Sequence, residues 1–204
     1  MFAVIEGIEG SGKSTLQAGV AEALRALGRR VTTTREPGGS PLGDAIRAIF
    51  LAPELDVDPV AEAMLVNAAR TQHIAALIRP ALERGETVLC DRFVDSTLAY
   101  QGYGRGLELT MLRGLCEIAV GGLVADVTIV LDCEPNLSRR RLDERGNAPD
   151  RLENENSGFH ERVREGFLAL ARGSERHVVL DAAGSREELV AAALAAIEGM
   201  RSRG

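Results

Sequence analysis

Short apolar runs alternate along this chain with longer stretches of helical periodicity. FAVIEG (2–7) reads as a buried strand. A helix is predicted from about Lys13 to Leu27, with apolar residues at Leu16, Val20, Ala23, Leu24 and Leu27, and Gly28 stops it. VTTTREP (31–37) predicts a second strand ended by PGGSP, and a helix follows over about Leu42–Phe50. After the loop APELDVDP, a long amphipathic helix is predicted from about Val60 to Arg84, interrupted near Pro80, with Gly85 at the turn beyond it.

TVLCD (87–91) and DVTIVLD (126–132) are two more apolar strands, separated by a helical pattern around 108–120. A further helix is predicted over Ser157–Ala171, HVVLDA (177–182) is a fifth strand, and an Ala-rich helix closes the pattern. With no linker or repeat, this order predicts an α/β fold. It would be a single doubly wound domain over 1–204, with a five-stranded parallel sheet and helices on both faces. The stretch 139–152 is the exception, being rich in Arg, Asp and Glu, poor in apolar residues, and carrying Gly146 and Pro149. Such a segment over a core is expected to be a mobile lid.

Composition narrows the function. A chain of 204 residues with 45% hydrophobic content suits one substantial core. A net charge of −6 excludes the broad basic surface of a nucleic-acid binder, and 3% aromatics without Trp leave no platform for stacking single strands. A small anionic substrate remains open, because one local arginine cluster suffices for it. Cys90, Cys116 and Cys133 are odd in number and lack metal-ligand spacing, so reduced, structural thiols are expected. His73, His160 and His177 form no pair with ligand spacing either and are read as structural. MFAVIEG lacks a basic region followed by a long apolar stretch, and no apolar run approaches the roughly 18 residues of a membrane span. The expectation is a soluble cytoplasmic protein without membrane contact.

The strongest chemical signal is GIEGSGKS, Gly7 to Ser14, which matches G-x-x-x-x-G-K-[ST] between a predicted strand and a predicted helix. Gly7, Gly10 and Gly12 leave the backbone free to aim N–H groups at phosphate oxygens, and the helix N-terminus adds partial positive charge. Gly7, Ile8, Glu9, Gly10, Ser11, Gly12, Lys13, Ser14 and Thr15 are therefore the expected ATP-binding stretch. Lys13 would bridge the β- and γ-phosphates and the Ser14 hydroxyl would take a magnesium position. Asp91, at the end of an apolar strand, is the carboxylate expected to hold Mg2+.

A P-loop does not name the acceptor. A G-protein switch should carry N-K-x-D, and the chain has none. Arg35 and Arg92 follow the second and third strands and Arg70 lies on the helix between them, so guanidinium groups could converge on the crevice at the strand ends. Converging arginines suit a second phosphate-bearing substrate. Two rivals remain: another small-molecule or nucleotide kinase on the same fold, and a non-transferring P-loop module that signals by conformation.

At these residues the chain resembles the thymidylate kinase family, in its bacterial form. IEGIEGSGKST is similar to the family's P-loop, TREPGGSPLG to the segment after its second strand, and DRFVDSTLAYQGYGRG to its long signature. AARTQHIAALIRPALERG resembles its long helix, VTIVLD its fourth strand and DRLE the end of its lid, so the likeness runs from residue 2 to about 182. The resemblance implies a nucleoside monophosphate kinase that moves the γ-phosphoryl of ATP to dTMP, giving dTDP and ADP for dTTP synthesis. It further implies a homodimer packed through helices that include the long one.

The resemblance also implies residue roles. Glu9 would lie by the acceptor sugar and the magnesium region, and Arg92 would clamp the acceptor phosphate. Arg70 would face the thymine edge, assisted by Ser96, Thr97 and Gln101. Tyr100 would pack on the deoxyribose, and Arg35 and Pro37 would border the pocket. Some members carry a basic residue in the P-loop and others a catalytic arginine in the lid. Gly10 stands at the P-loop position, which implies the lid-arginine type with Arg145 and Arg151 as candidates. Val66, four residues before Arg70, stands where members commonly carry an aromatic that stacks on thymine.

Overall fold

A computed structural model describes residues 1–146 and 148–201. Its five strands are β1 (Phe2–Glu6), β2 (Val31–Arg35), β3 (Thr87–Asp91), β4 (Val127–Asp132) and β5 (His177–Asp181). They form one all-parallel sheet in the order β2-β3-β1-β4-β5. β1 is buried at every position, as its unbroken apolar run requires of the central strand of a sheet covered on both faces. The register sets Ile5 beside Asp91 and Asp91 beside Arg35, so the carboxyl ends of β1, β3 and β2 finish at one level. The chain reverses direction across the sheet at β1, and that is where an open α/β sheet leaves a crevice.

The α-helices are α1 (Lys13–Ala26), α2 (Pro41–Leu51), α3 (Pro59–His73), α4 (Arg79–Glu83), α5 (Val94–Thr97), α6 (Leu109–Val120), α7 (Pro135–Arg145), α8 (Ser157–Ala171) and α9 (Arg186–Arg201), and π-helical stretches span Ile74–Ile78 and Leu98–Gly104. Ser40, Asp58, Glu108 and Asn156 cap α2, α3, α6 and α8 through their side chains. α1 has no side-chain cap and no acid in its first turn, leaving its first amides available to an external anion. Gln17 of α1 donates to Thr34 O and Leu89 O at 2.8 and 2.9 Å, tying that helix across the ends of β2 and β3.

The structure refines three expectations. Leu27 does not join the core and is 55% exposed; Leu16, Val20, Ala21 and Leu24 form the buried face of α1. The long helix is interrupted just before Pro80: a π-helical turn over Ile74–Ile78 separates α3 from α4, which runs through the proline near its start, a local widening that accommodates the donor proline lacks. The segment 139–152 is not all irregular, because 139–145 is the C-terminal part of α7. Only Ser138 of α7 is buried, so this helix has no apolar stripe for periodicity to reveal. Position 147 of the expected lid lies outside the described residues.

Candidate active site

The P-loop turns on three glycines with φ of 141° (Gly7), 68° (Gly10) and 99° (Gly12). These values favour glycine, and a Cβ on Gly10 would also meet Ser138 O at 2.6 Å. Lys13 is buried and folds back onto the loop, donating to Gly7 O at 3.0 Å and Ile8 O at 2.8 Å. Burial, followed by repulsion from Arg92, lowers its pKa to about 8. A phosphate oxygen in the nest would supply the counter-charge that these carbonyls replace. Ser14 Oγ donates to Asp91 Oδ2 at 3.2 Å. Two oxygen donors side by side on the cleft wall suit a hard cation such as Mg2+, which takes oxygen ligands and keeps several of its waters.

Across the same cleft, of about 600 Å³, lies a cluster centred on Arg92. Arg92 follows β3 with φ 73°, the one non-glycine among the described residues at positive φ, a strained conformation of the kind that gathers at functional sites. Its guanidinium donates to Gly7 O (3.0 Å), Ser96 Oγ (3.1 Å), Glu9 Oε1 (2.8 Å) and Tyr100 OH (3.0 Å), and lies 4.9 Å from the centre of the Tyr100 ring. Tyr100 OH in turn donates to Glu9 Oε2 at 2.6 Å. Burial pushes the Glu9 carboxyl up, but Arg92 and Lys13 outweigh it and hold it below its usual range. Burial keeps Tyr100 protonated by pushing its pKa well up. Arg35 and Pro37 line this wall, with the Glu36–Pro37 peptide cis.

Arg70 reaches the cleft from α3 with its guanidinium almost fully engaged. Nε donates to Glu36 Oε2 at 2.7 Å, Nη1 to Asn67 Oδ1 and Thr97 Oγ1, and Nη2 to Phe93 O. Thr97, Gln101 and Val66 line the cleft beside it, and Phe50 of α2 adds an aromatic wall. Glu36, His73 and Cys90 bring possible metal-ligand atoms within 4.8 Å of one another, a meeting that sequence spacing did not show. Each is already committed. Glu36 accepts from Arg70 and pairs with His73 Nδ1, His73 Nε2 bonds Thr34 Oγ1, and the Cys90 thiol, its pKa pushed well up by burial, donates to Arg92 O. The cluster therefore braces the loop after β2.

The two lid arginines differ in place. Arg145 lines the cleft and pairs with Glu153 at 2.7 Å. Arg151 is not on the cleft wall. It donates to Phe50 O at 3.0 and 2.9 Å and to Glu62 Oε1 at 2.5 Å. Gly7 and Ile8 also stand behind the wall, with their carbonyls turned to Lys13, while Glu9, Gly10, Ser11, Gly12, Lys13, Ser14 and Thr15 line it.

Sequence reasoning missed three further arginines on the cleft wall, Arg47, Arg141 and Arg186. Arg47 of α2 lines the cleft, and burial, then repulsion from Arg35 and Arg92, lowers its pKa. Arg35, Arg47 and Arg92 thus line one cleft together, an arrangement a dianion would relieve. Arg141 donates to Ser11 O and Ala182 O, and Ser138 Oγ to Glu9 O, so α7 grips the P-loop from outside. Arg47 belongs to no motif. The only signal for α7 was Ser138 and Arg141 three apart, on one helical face.

An anion nest opening onto a wall of guanidinium groups, at the carboxyl ends of a parallel sheet, places the chain among the P-loop phosphotransferases. Its relatives narrow that class. The sequence pattern of the family described as Thymidylate kinase matches residues 5–193. The chain is 49% identical to the thymidylate kinase of Deinococcus radiodurans over 198 residues, covering 97% of this chain and 96% of that one. It is 48% identical to that of Geobacter sp. (strain M21), covering 92% and 86%. The crystal structure of thymidylate kinase from Ehrlichia chaffeensis superposes with a TM-score of 0.77 at 29% identity, covering 97% of this chain and 98% of that one. The chain belongs to the thymidylate kinase family.

Proposed function

We propose that this chain, as one P-loop kinase domain, transfers the γ-phosphoryl of ATP to dTMP and releases dTDP and ADP. The observation that carries the reading is the Arg92–Glu9–Tyr100 cluster, which faces the glycine nest across the Ser14–Asp91 pair in one cleft. The nest amides and Lys13 hold the ATP phosphates. Ser14 and Asp91 would hold Mg2+, which would supply neutralising charge for the phosphates. Arg92, with Arg35 and Arg47 beside it, takes the acceptor phosphate. Tyr100 and Glu9 shape the sugar end, while Arg70, Thr97 and Gln101 border the base, against Val66 and Phe50.

The acceptor needs no general base. Its phosphate monoester has a second pKa of about 6 and is largely dianionic near neutrality. The barrier is repulsion between two polyanions, so catalysis is alignment plus charge compensation. Lys13 and Arg92 supply compensation from the two sides and Arg145 from the lid, making this a lid-arginine enzyme. The crowding of Gly10 by Ser138 O supports that reading, because a basic side chain has no room at that P-loop position. Lid closure keeps water, the competing acceptor, away from the γ-phosphoryl.

Among the described residues no helix is long and apolar enough to cross a membrane, and a cytoplasmic enzyme fits that. A homodimer is supported by exposed Met64 on α3 and Met111 and Ile118 on α6, two helices packed against each other. The deciding experiment is a coupled ADP-release assay with Mg2+ and ATP, comparing dTMP with UMP, CMP, GMP and thymidine. dTMP should be the preferred acceptor, and no ADP above background with dTMP would end the proposal.

A further inference from the structure

Glu6 ends β1 with a carboxylate that is fully buried, although none of the catalytic roles above uses it. Its Oε1 accepts from Phe93 N at 2.8 Å and Ser96 N at 3.2 Å, and its Oε2 accepts from Ser96 Oγ at 2.6 Å. Those are the residues just after Arg92, spanning the start of α5, a short helix with no side-chain cap of its own. Ser96 Oγ, having given its proton to Glu6, presents a lone pair to Arg92 Nη1 at 3.1 Å. Arg92 N is meanwhile bonded to Ile5 O at 2.9 Å. Two consecutive residues of the central strand therefore hold Arg92 by its backbone and, through Ser96, by its guanidinium.

We infer that Glu6 is a positioning residue for the acceptor site, setting Arg92 through Ser96 without touching either substrate. This rests on the reading of Arg92 as the acceptor-phosphate clamp. Three features support it beyond contact. Arg92 sits at φ 73°, which an L-residue keeps only when its surroundings over-determine it, and the Glu6 bonds fix the backbone of Phe93 and Ser96 that follows it. The carboxylate also fixes proton direction. Oε1 must accept from two backbone N–H groups, so an amide at this position has to turn its NH2 toward Ser96, and the Ser96 hydroxyl loses its acceptor there. Finally, Glu6 carries charge complementary to Arg92 in a buried setting, where removing one partner of a network costs most.

Glu6 also forms part of the wall of a second cavity, of about 380 Å³, on the far side of the Phe93–Ser96 segment. This places it between the two cavities, with no part in the first except through the residues it holds.

The test is steady-state kinetics at pH 8 on Glu6→Gln, Ser96→Ala, the double variant and Arg92→Lys. KM is measured for dTMP at saturating Mg2+ and ATP, and for ATP at saturating dTMP. Glu6→Gln should raise KM for dTMP tenfold or more while KM for ATP stays within threefold. The Glu6→Gln and Ser96→Ala effects should fall well short of multiplying in the double variant, because the two residues act in series. Glu6→Asp, which restores a carboxylate, should recover part of the dTMP affinity if Glu6→Gln folds poorly. Equal shifts for both substrates, multiplicative effects, or no shift in Glu6→Gln would overturn the inference. Arg92→Lys separates the failures. If it raises KM for dTMP while Glu6→Gln does not, only the role of Glu6 falls; if Arg92→Lys changes nothing, the clamp falls and Glu6 with it.

Discussion

Replacing each lid arginine by alanine should produce opposite phenotypes, a fold defect at 151 and a chemical defect at 145. Arg151 is 10% exposed and pairs with Glu62, which is fully buried. Glu62 keeps Arg105 at 3.0 Å and Gln101 at 3.0 Å when Arg151 is gone, but Phe50 O loses two donors and the ring of Phe50 loses the guanidinium 5.2 Å from its centre. Breaking a buried pair costs about 3–5 kcal/mol, and the remaining partners of Glu62 put this case near the low end, about 3 kcal/mol. For a chain of this size each kcal/mol moves the midpoint by about 2–4 °C, so Arg151→Ala should melt about 6–12 °C lower. Arg145 is 46% exposed, and its pair with Glu153 contributes at most about 1 kcal/mol, so Arg145→Ala should melt within a few degrees of wild type. Its kcat should fall about 100-fold or more, the scale of losing one preorganised charge at the transferring group. Thermal melts and coupled ADP release at saturating dTMP read both effects. A normal melt for Arg151→Ala together with normal turnover for Arg145→Ala would refute the assignment.

Other substitutions probe the rest of the cleft. Arg92→Lys should stay folded and lose about 10–150-fold in kcat/KM for dTMP, since one charge-assisted hydrogen bond contributes about 1.5–3 kcal/mol and an ammonium cannot make the paired contact; unchanged kcat/KM would remove Arg92 from the clamp. Gly10→Ala forces a Cβ to 2.6 Å from Ser138 O at φ 68°, and should destabilise by more than about 1 kcal/mol and raise KM for ATP, both readable by urea titration and initial rates. Glu6 gives a pH signature. Burial, then Asp95, raises its pKa to about 7, so between about 4.5 and 7 the folded state holds a proton that the unfolded chain has released, and its contribution to stability falls as pH rises. Wild type should therefore lose about 3 kcal/mol relative to Glu6→Gln between pH 4 and pH 8 in urea unfolding, and parallel curves would contradict that.

The middle of the sheet was legible because its three central strands announce themselves. FAVIE, TVLCD and VTIVLD are apolar runs bounded by glycine or charge, and burial on both faces is what such runs encode. Phosphate chemistry was legible for a related reason: the nest is made by backbone, so its requirement for glycine is written locally at Gly7, Gly10 and Gly12. The π turn before Pro80 and the helix α7 were not legible. Neither changes an apolar period, and α7 is held by Ser138 and Arg141 bonding to P-loop carbonyls more than a hundred residues away.

The acceptor side shows why local spacing reaches only so far. Arg35, Arg47, Arg70 and Arg92 come from four separate stretches of the chain, and nothing in the sequence distinguishes the one that faces open space from the one already spoken for. Arg70 looks like a free recognition group until its partners Glu36, Asn67, Thr97 and Phe93 O are counted; four of its bonds brace the cleft wall. Arg47 looks like a surface residue of an ordinary helix until the repulsion from Arg35 and Arg92 is seen. Repulsion among cations crowded onto one cleft wall is stored interaction energy, and a dianion entering that volume would release it. A bonded cation offers the same ligand less, because its existing partners must first be loosened. Arg35 and Arg47 are therefore the guanidinium groups most ready to meet the acceptor phosphate, whereas Arg92 must first loosen its bonds to Gly7 O, Ser96, Glu9 and Tyr100, and Arg70 is left to fix the shape of the base pocket.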